Sequence, residues 1–271
     1  MRSASGEWIV RMEDLDRITS SSEHEASQLA DLAALGLHSE AAVVRQSERF
    51  GLYHDAIATM QDLGRVYECY CSRREIREAT QAPHGNEAAT DAYPGTCRKL
   101  TIARLAELRE TGRPPALRLR SDGERFTVDD LVAGRFEGVA DDVVIRRNDG
   151  VPAYNLAVVV DDAAQGITHV TRGADLLTST PRQRLLQELL KVAEPTYAHV
   201  PLAVASDGAR LAKRHGAVTL AQLNAIGVST EQVRKLLLTS LGASVEGGTA
   251  GFRIEAVPQA AWRAQESIDL R

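Results

Sequence analysis

The fold is decided by the segment VPAYNLAVVVDDAAQGITHVTRGADLL at residues 151–177. Its five apolar residues at 156–160 are too few to span a membrane and have polar flanks, so we expect a buried segment at the centre of a sheet or packed against one. A β-type segment follows and leads directly into Arg172. Since ligands of open α/β sheets bind at the carboxyl ends of strands, we expect Tyr154, Asp161 and Arg172 to face a small polar substrate. The residues alone equally allow Tyr154 to fill the core and Arg172 to be a surface charge.

Length and composition narrow the class of protein. With 271 residues and a net charge of −5, the chain is long enough to bury a sizeable core and has no overall attraction to nucleic acid, so an RNA partner must meet a local basic face. The sequence has no apolar run of the roughly 20 residues that cross a bilayer, and no apolar signal core at its N-terminus. We therefore expect a cytoplasmic protein that does not associate with membranes. Three cysteines in such a chain argue against a disulfide framework.

The first quarter of the chain predicts a strand and two helices. The β-rich, alternating residues 7–14 are typical of a strand that ends in acidic side chains. Ser22 and Glu25 form a capping-box pattern at the start of a helix. A second helix is expected over 47–63, because apolar residues recur along one side of it and Gly64 follows where a left-handed C-terminal cap is common. We expect its aromatic residues to belong to the core rather than to a cofactor site.

Three thiols are candidate metal ligands. A short predicted strand carries Cys69 and Cys71, and a polar loop followed by a turn returns the chain to Cys97. Three thiolates with a fourth nitrogen or oxygen donor form a closed tetrahedral zinc site of the structural type, and the candidate fourth ligands are His84 and Tyr93. Because Cys-x-Cys is a weaker signal than paired Cys-x-x-Cys motifs, three reduced cysteines without a metal are the alternative.

The middle of the chain predicts a small set of antiparallel strands. Apolar and polar residues alternate at 116–120, 125–128 and 135–138, and a further strand over 141–147 is expected to return to the central sheet. Arginines dominate the polar face of this region. They are Arg113, Arg118, Arg120 and Arg125. Such a face binds a phosphate backbone or is simply solvated, and the sequence leaves both open.

The C-terminal third predicts helices around a basic loop. Thr180 is expected to cap a helix whose first position is Pro181. The loop at 210–216 carries four basic side chains, which either stabilise charge on a triphosphate during reaction or are merely solvated. Amphipathic helices are expected at about 219–225 and 230–241.

Motifs spread over most of the chain share the order and spacing of a known family. They are RMEDLD at 11–16, CYC at 69–71 with YPGTCR at 93–98, IRRNDG at 145–150, YNLAVVVDD at 154–162, RGADLL at 172–177, TPRQ at 180–183 and RLAKRHG at 210–216. Together they resemble the class I aminoacyl-tRNA synthetases of the glutamyl type and, within them, the short glutamyl-queuosine tRNA(Asp) synthetases. The combination is highly specific.

The resemblance implies an α/β fold. The class I synthetase has a Rossmann-like parallel sheet, interrupted by a small zinc-binding, acceptor-type insert and followed by a short helical region. On this basis we expect the first part of the nucleotide-binding domain at 1–66, the insert with its antiparallel strands at 67–142, the second part of the domain at 143–205, and the lysine loop with the helical region at 206–271.

The resemblance also implies an activity and its residues. ATP, with Mg²⁺, would activate L-glutamate as an adenylate, and the glutamyl group would then pass to the queuosine base in the anticodon of tRNA(Asp). By position, Glu13, Tyr154 and Arg172 resemble glutamate-binding residues, and Lys213 resembles the catalytic, ATP-contacting lysine of the KMSKS-type loop. The zinc ligands implied by the family are Cys69, Cys71, Tyr93 and Cys97. We expect the protein to act as a monomer.

The chain departs from the family pattern in two places. The family's first strand, with its HIGH-type motif and a substrate-binding arginine, is expected upstream of Arg2. We therefore expect this 271-residue chain to be impaired in glutamate activation and a version extended upstream in frame to be active. In the lysine loop, Arg210 replaces lysine and Ala212 replaces serine, and the lost hydroxyl is a modest change if it contacts phosphate.

Two other functions remain open on the sequence. The short form is favoured because little chain follows Gly216, whereas full glutamyl-tRNA synthetases continue into a large helical anticodon-binding region. The alternatives are a catalytic fragment of a glutamyl-tRNA ligase and a non-catalytic RNA- or protein-binding module derived from a synthetase. Ordinary glutamyl-tRNA synthetases resemble one another in needing tRNA to activate glutamate, whereas the queuosine form does not. The tRNA requirement therefore separates the two enzymes.

Overall fold

The structure, a computed structural model, describes residues 8–16, 18, 20–76, 93–204, 219–240 and 262–263. The α-helices of these ranges include α1 (Ser22–Ala34), α2 (Phe50–Asp62), α3 (Ile102–Glu110), α4 (Tyr154–Ala164), α5 (Thr180–Leu190), α6 (Leu220–Ala225) and α7 (Thr230–Ser240). The strands are β1 (Arg11–Met12), β2 (Val44–Arg45), β3 (Val66–Cys69), β4 (Ala116–Leu119), β5 (Arg125–Asp130), β6 (Gly134–Val139), β7 (Val144–Arg146), β8 (His169–Gly173), β9 (Thr196–Val200), β10 (Ala203–Val204) and β11 (Trp262–Arg263). Among the helices described, none is both long and apolar enough to cross a membrane.

Two strand–helix–strand units each contain a pair of parallel strands, one unit near the start of the chain and one after its antiparallel strands. β1 pairs in parallel with β2, and α1 connects them. β8 pairs in parallel with β9, with His169 opposite Thr196, and α5 connects them. A parallel pair needs a crossover of this kind because both strands run in the same direction. Within the described part of the predicted strand 7–14, only residues 11–12 are β-structure.

An antiparallel region lies between these units. β4 pairs with both β3 and β7, and β5 forms a hairpin with β6. The antiparallel strands predicted at 116–120, 125–128 and 135–138 are therefore confirmed. The strand predicted over 141–147 is found as β7, but it pairs with β4 in the antiparallel sheet and not with a parallel strand. The physical reason is the connection, since the β5–β6 hairpin between β4 and β7 provides no crossover helix.

The apolar run at 156–160 lies in a helix, α4, and not in a strand. Its burial is as predicted, and the helix packs against α2 and α5. The buried apolar residues are Leu156, Ala157, Val158 and Val159. Because the run is helical, the placement of Tyr154 and Asp161 at a strand end is wrong. The expected placement at the carboxyl end of a strand is correct for Arg172, which lies near the end of β8.

At the start of α1, Glu25 forms an ion pair and does not take part in the predicted capping box. The N-cap is Ser21, whose hydroxyl accepts a hydrogen bond from the backbone N–H of His24. The predicted box of Ser22 and Glu25 is therefore displaced by one residue. Glu25 instead accepts hydrogen bonds from Arg45 on β2, with a shortest distance of 2.5 Å. This pair ties α1 to the parallel strands that it connects.

Helix α2 supplies one wall of the main core. Tyr53, Ile57 and Met60 on its inner face are buried, which confirms the predicted stripe, and Gly64 follows the helix with a φ of 68°, the left-handed conformation expected of a C-terminal cap. The core continues through β4, β7, α4 and α5. Its other buried members include Leu117, Leu119, Ile145, Leu156, Ala157, Val159, Leu185 and Leu186.

Candidate active site and metal centre

Arg172 is held in a fixed orientation at the end of β8. Its Nε donates a hydrogen bond to His199 Nε2 at 2.9 Å, and its Nη1 donates to Gln183 Oε1 at 2.5 Å. Its Nη2 donates to Thr180 Oγ1 at 2.9 Å. These partners come from β9 and from the first turn of α5. The alternative of a plain surface charge therefore does not describe this side chain.

Tyr154 and Glu13 share the site with Arg172. Tyr154 begins α4 and is 41% exposed, so it does not simply fill the core. Partial burial raises the pKa of the Tyr154 phenol, the Glu13 carboxylate raises it further, and the Arg172 guanidinium opposes both. Both charged groups act on the phenol, and Arg172 also forms a side-chain hydrogen bond with it. The three residues expected to bind glutamate therefore lie close to one another.

Arg11 on β1 organises the acidic side of the site, although the sequence analysis did not single it out. Its Nη1 donates to Asp162 Oδ1 at 2.8 Å and to Gln165 Oε1 at 2.7 Å, and its Nη2 lies 3.5 Å from Glu13 Oε1. Burial raises the pKa of Glu13, and the Arg11 cation opposes that rise. The site thus offers a cation, Arg172, and a carboxylate, Glu13, to a small ligand that carries both charges.

Asp161 belongs to the core and does not face a substrate, contrary to the expectation from its place in the sequence. Its side chain is fully buried. Its Oδ1 accepts a hydrogen bond from Arg49 Nε at 2.6 Å, and its Oδ2 accepts from Gln46 Nε2 at 2.9 Å and from Tyr53 Oη at 2.8 Å. The reason is the helical geometry of α4, which turns Asp161 toward α2 while Asp162 contacts Arg11.

A buried polar pair behind Arg172 was also missed. Asp130 ends β5 and His199 lies on β9, and both side chains are fully buried. The sequence contained one signal, since Val128 and Asp130 occupy the same face of β5 and Val128 is buried. A carboxylate that continues an apolar alternation is rarely buried without a partner. That partner, on another strand, is not visible in a single sequence.

Cys69, Cys71 and Cys97 come together where β3 ends and the segment 93–98 folds back onto it. Their sulfur atoms lie within 4.8 Å of one another. Tyr93 Oη lies 3.4 Å from Cys69 Sγ and 3.5 Å from Cys71 Sγ. A tetrahedral zinc with ordinary bond lengths requires sulfur–sulfur separations of about 3.8 Å and sulfur–oxygen separations of about 3.5 Å. The three thiols and the phenol therefore fit a zinc ion.

The electrostatics of this cluster favour a thiolate at Cys69, whereas Cys97 and Tyr93 hold their protons more tightly. A hydrogen bond from Cys97 lowers the pKa of Cys69 to about 4 in spite of its burial, and the same bond raises the pKa of the Cys97 thiol. Burial raises the pKa of Tyr93. The Arg118 guanidinium lies 3.6 Å from the centroid of the Tyr93 ring, where its charge favours a phenolate. A metal ion deprotonates coordinating thiols, so the remaining protons do not prevent binding.

Comparison with known proteins identifies the family. The description "tRNA synthetases class I (E and Q), catalytic domain" matches residues 1–267. The chain is 54% identical over 241 residues to a glutamyl-Q tRNA(Asp) synthetase of Nocardia farcinica (strain IFM 10152), covering 89% of this chain and 76% of that protein. It is 48% identical over 243 residues to the protein of the same name from Symbiobacterium thermophilum, covering 86% and 75%. The chain belongs to the class I (E and Q) tRNA synthetase family.

Solved structures of class I tRNA synthetases agree on the fold. A glutamate tRNA ligase from Elizabethkingia meningosepticum CCUG26117, in complex with its amino acid, superposes with a TM-score of 0.79 at 24% identity and covers 97% of this chain. The chain spans 61% of the length of that ligase. A glutamate-tRNA synthetase from Elizabethkingia anophelis gives a TM-score of 0.81. The predicted α/β fold of a class I synthetase is confirmed.

Some residues expected in a class I synthetase lie outside the described part of the chain. Lys213, the expected ATP-contacting lysine, is one of them, and so are Arg210, Ala212 and His84. Their roles stay predictions. The helices predicted after this loop are found as α6 and α7, and α6 begins with a capping box in which Thr219 and Gln222 satisfy each other's backbone N–H groups.

Only part of the predicted basic face is exposed. Arg118 is buried, and its Nη1 donates to the carbonyl oxygen of Asp142 at 2.6 Å. Arg120 lies 4.9 Å from the centroid of the Tyr67 ring. Both arginines extend from or follow β4, the central strand of the β3–β4–β7 sheet, so neighbouring elements cover them. Of the four arginines, Arg113 and Arg125 are exposed, Arg120 is half-buried and Arg118 is buried.

Proposed function

We propose that this chain carries the catalytic site of an enzyme that activates L-glutamate with ATP and attaches it to the queuosine base of tRNA(Asp). The observation that carries the proposal is the fixed guanidinium of Arg172 beside Tyr154 and Glu13. An arginine fork is suited to a substrate carboxylate, and a carboxylate is suited to the ammonium group of the same amino acid. The similarity to glutamyl-Q tRNA(Asp) synthetases supports the same substrate.

The proposed reaction has two steps. In the first, the α-carboxylate of glutamate attacks the α-phosphorus of ATP, which would bind together with Mg²⁺. This attack forms glutamyl adenylate and releases pyrophosphate. Arg172, Tyr154 and Glu13 orient the glutamate, and Lys213 neutralises charge that develops on the phosphates. In the second step, the queuosine base attacks the activated carbonyl, and AMP leaves. Because ATP and tRNA are cytoplasmic, we place the reaction in the cytoplasm.

The division of the chain follows from the same proposal. Parts of a nucleotide-binding domain at 1–66 and 143–205 flank the insert at 67–142, and the lysine loop and helices follow at 206–271. The antiparallel strands and the thiol cluster of the insert support this division.

Glutamate-dependent exchange of pyrophosphate into ATP tests the activity. We expect exchange without tRNA, measured for this chain and for a version extended upstream in frame. Exchange that appears only when tRNA is added would favour the fragment of a glutamyl-tRNA ligase. A glutamate–tRNA ligase of Citrifermentans bemidjiense is 37% identical to this chain over 241 residues. If both proteins are folded and neither exchanges with or without tRNA, the non-catalytic module replaces the enzyme.

We also propose that Cys69, Cys71, Tyr93 and Cys97 hold a structural zinc ion. The donor separations support a tetrahedral site, and the ion would tie β3 to the segment 93–98. A closed four-ligand site contributes to folding and does not leave a position open for substrate.

The substitution Cys97→Ser is expected to remove most of the zinc. The wild-type protein should contain about one equivalent by elemental analysis, because structural sites of this type bind tightly. Tyr93→Phe should weaken retention against a chelator, since only the fourth donor is lost. Tyr70→Phe is the matched control, because it removes a phenol near the cluster whose partner is Glu68, and it should retain the metal. A wild-type protein that folds normally without zinc would contradict the proposal.

A further inference from the structure

A buried line of hydrogen bonds runs from Asp130 through His199 to Arg172. Asp130 Oδ2 lies 2.6 Å from His199 Nδ1, and His199 Nε2 lies 2.9 Å from Arg172 Nε. Both side chains behind the arginine are fully buried. The Arg172 guanidinium also lies 5.3 Å from the centroid of the Tyr197 ring, which packs beside His199. The line connects the β5–β6 hairpin to the candidate glutamate site.

The chemistry of the line fixes one tautomer of His199. Arg172 Nε carries a hydrogen at all accessible pH values and can only donate, so His199 Nε2 must accept and carries no proton. The proton of a neutral imidazole then sits on Nδ1, where Asp130 accepts it. Burial lowers the pKa of His199 although its hydrogen bond to Asp130 opposes the shift, which is consistent with a neutral ring. The Asp130 carboxylate thus selects the tautomer that can receive Arg172.

Asp130 is itself oriented by the backbone. Its Oδ1 accepts hydrogen bonds from the N–H groups of Val132 at 2.9 Å and Ala133 at 2.8 Å. The backbone N–H of His199 donates to both oxygens, at 3.0 Å from Oδ1 and 3.1 Å from Oδ2. Asp130 Oδ2 is therefore the atom that faces the imidazole. These contacts fix the plane of the carboxylate, so that one of its two equivalent oxygens always faces the imidazole.

We propose that His199 and Asp130 are positioning residues that orient the Arg172 guanidinium for the carboxylate of the amino acid substrate. This inference rests on the function proposed above and extends it. Among the described residues, His199, Gln183 and Thr180 occupy three of the five N–H donors of Arg172. Two donors remain for the substrate carboxylate and for the neighbouring Tyr154. An arginine free to rotate would present a different pair of donors in each orientation.

The test is Asp130→Asn, which changes one atom of the line. The asparagine oxygen is expected to keep the backbone contacts of Oδ1, which places its NH₂ group against His199 Nδ1. His199 must then accept at Nδ1 and carry its proton on Nε2, where it opposes the Arg172 N–H. The matched control is Asp129→Asn, the same change at the preceding residue of β5, which is exposed. Both variants should be assayed by pyrophosphate exchange in whichever form of the protein is active.

We expect Asp130→Asn to raise the apparent KM for glutamate by about 10- to 100-fold, the range for losing a hydrogen bond to a charged group. The KM for ATP should stay within about twofold of the wild type, and Asp129→Asn should change neither value. Long-range ¹H–¹⁵N spectra of histidine-labelled protein should show a buried Nδ1–H tautomer in the wild type and an Nε2–H tautomer in Asp130→Asn. A purely structural role would change both KM values or neither.

Two results would overturn the inference. One is a wild-type His199 with its proton on Nε2, which can be read even if Asp130→Asn does not fold. The other is a folded Asp130→Asn protein with the reversed tautomer and an unchanged KM for glutamate. Failure of the proposed function is distinguishable from both, because it would appear as a wild-type protein that exchanges no pyrophosphate although its His199 carries the Nδ1–H tautomer.

Discussion

Replacing Asp161 by asparagine is expected to lower the free energy of unfolding by about 3–5 kcal/mol, the range found when one member of a buried ion pair is removed. The carboxylate is fully buried and receives Arg49 on one oxygen, and Gln46 and Tyr53 on the other. All three partners are donors. In one orientation an asparagine NH₂ group would oppose the Arg49 guanidinium, which cannot accept, and in the other it would force Gln46 and Tyr53 to change from donors to acceptors. In both orientations the Arg49 cation would lose its counter-charge.

Chemical denaturation of the full chain measures this effect. The matched control is Asp162→Asn, the same change at the next residue, where the carboxylate is 19% exposed and water can replace the Arg11 contact. We expect the control to lose about 1 kcal/mol or less, as is usual for partly exposed pairs. A loss below 1 kcal/mol for Asp161→Asn would show that the three donors find other partners, and it would refute the view of Asp161 as the central acceptor of this core.

The apolar run at 156–160 could be predicted to be buried, but its helical geometry could not be predicted. Five apolar residues in a row, three of them valines, fit a buried strand and a buried helix equally well. Packing against α2 and α5 selects the helix, and those contacts are not visible in a local window. The consequence reaches the site, because the helix turns Asp161 into the core and leaves Asp162 beside Arg11.

Only those residues of the candidate site that lie in sequence motifs of the family could be predicted. Glu13, Tyr154 and Arg172 are distant in sequence, and only the resemblance to a family grouped them before the structure did. The supporting residues Arg11, Asp130 and His199 were missed because hydrogen bonds between elements that are distant in sequence leave no periodic pattern. The thiol cluster lies between these cases, since the residues alone indicated a metal site with His84 or Tyr93 as fourth donor, and the family resemblance selected Tyr93.

Arg172→Lys is expected to reduce kcat/KM for glutamate in the exchange reaction by about 100- to 1,000-fold, which corresponds to about 3–4 kcal/mol of transition-state stabilisation. Lysine keeps the positive charge, but its ammonium group has only three N–H donors and cannot bond His199, Gln183 and Thr180 and also donate to a carboxylate. The loss should be specific for glutamate, because nothing in the proposed role of Arg172 involves ATP.

The control for Arg172→Lys is Arg104→Lys, the same change at an exposed residue of α3 that pairs with Glu107. It should leave kcat/KM and the melting temperature unchanged, since exposed pairs contribute little. Arg172→Lys leaves buried acceptors without a donor and should also lower stability by about 1–3 kcal/mol, so a thermal melt must first show that the variant is folded at the assay temperature. A folded variant with wild-type kcat/KM for glutamate would mean that the substrate carboxylate binds elsewhere. The fixed arginine would then serve only to join β8, β9 and α5.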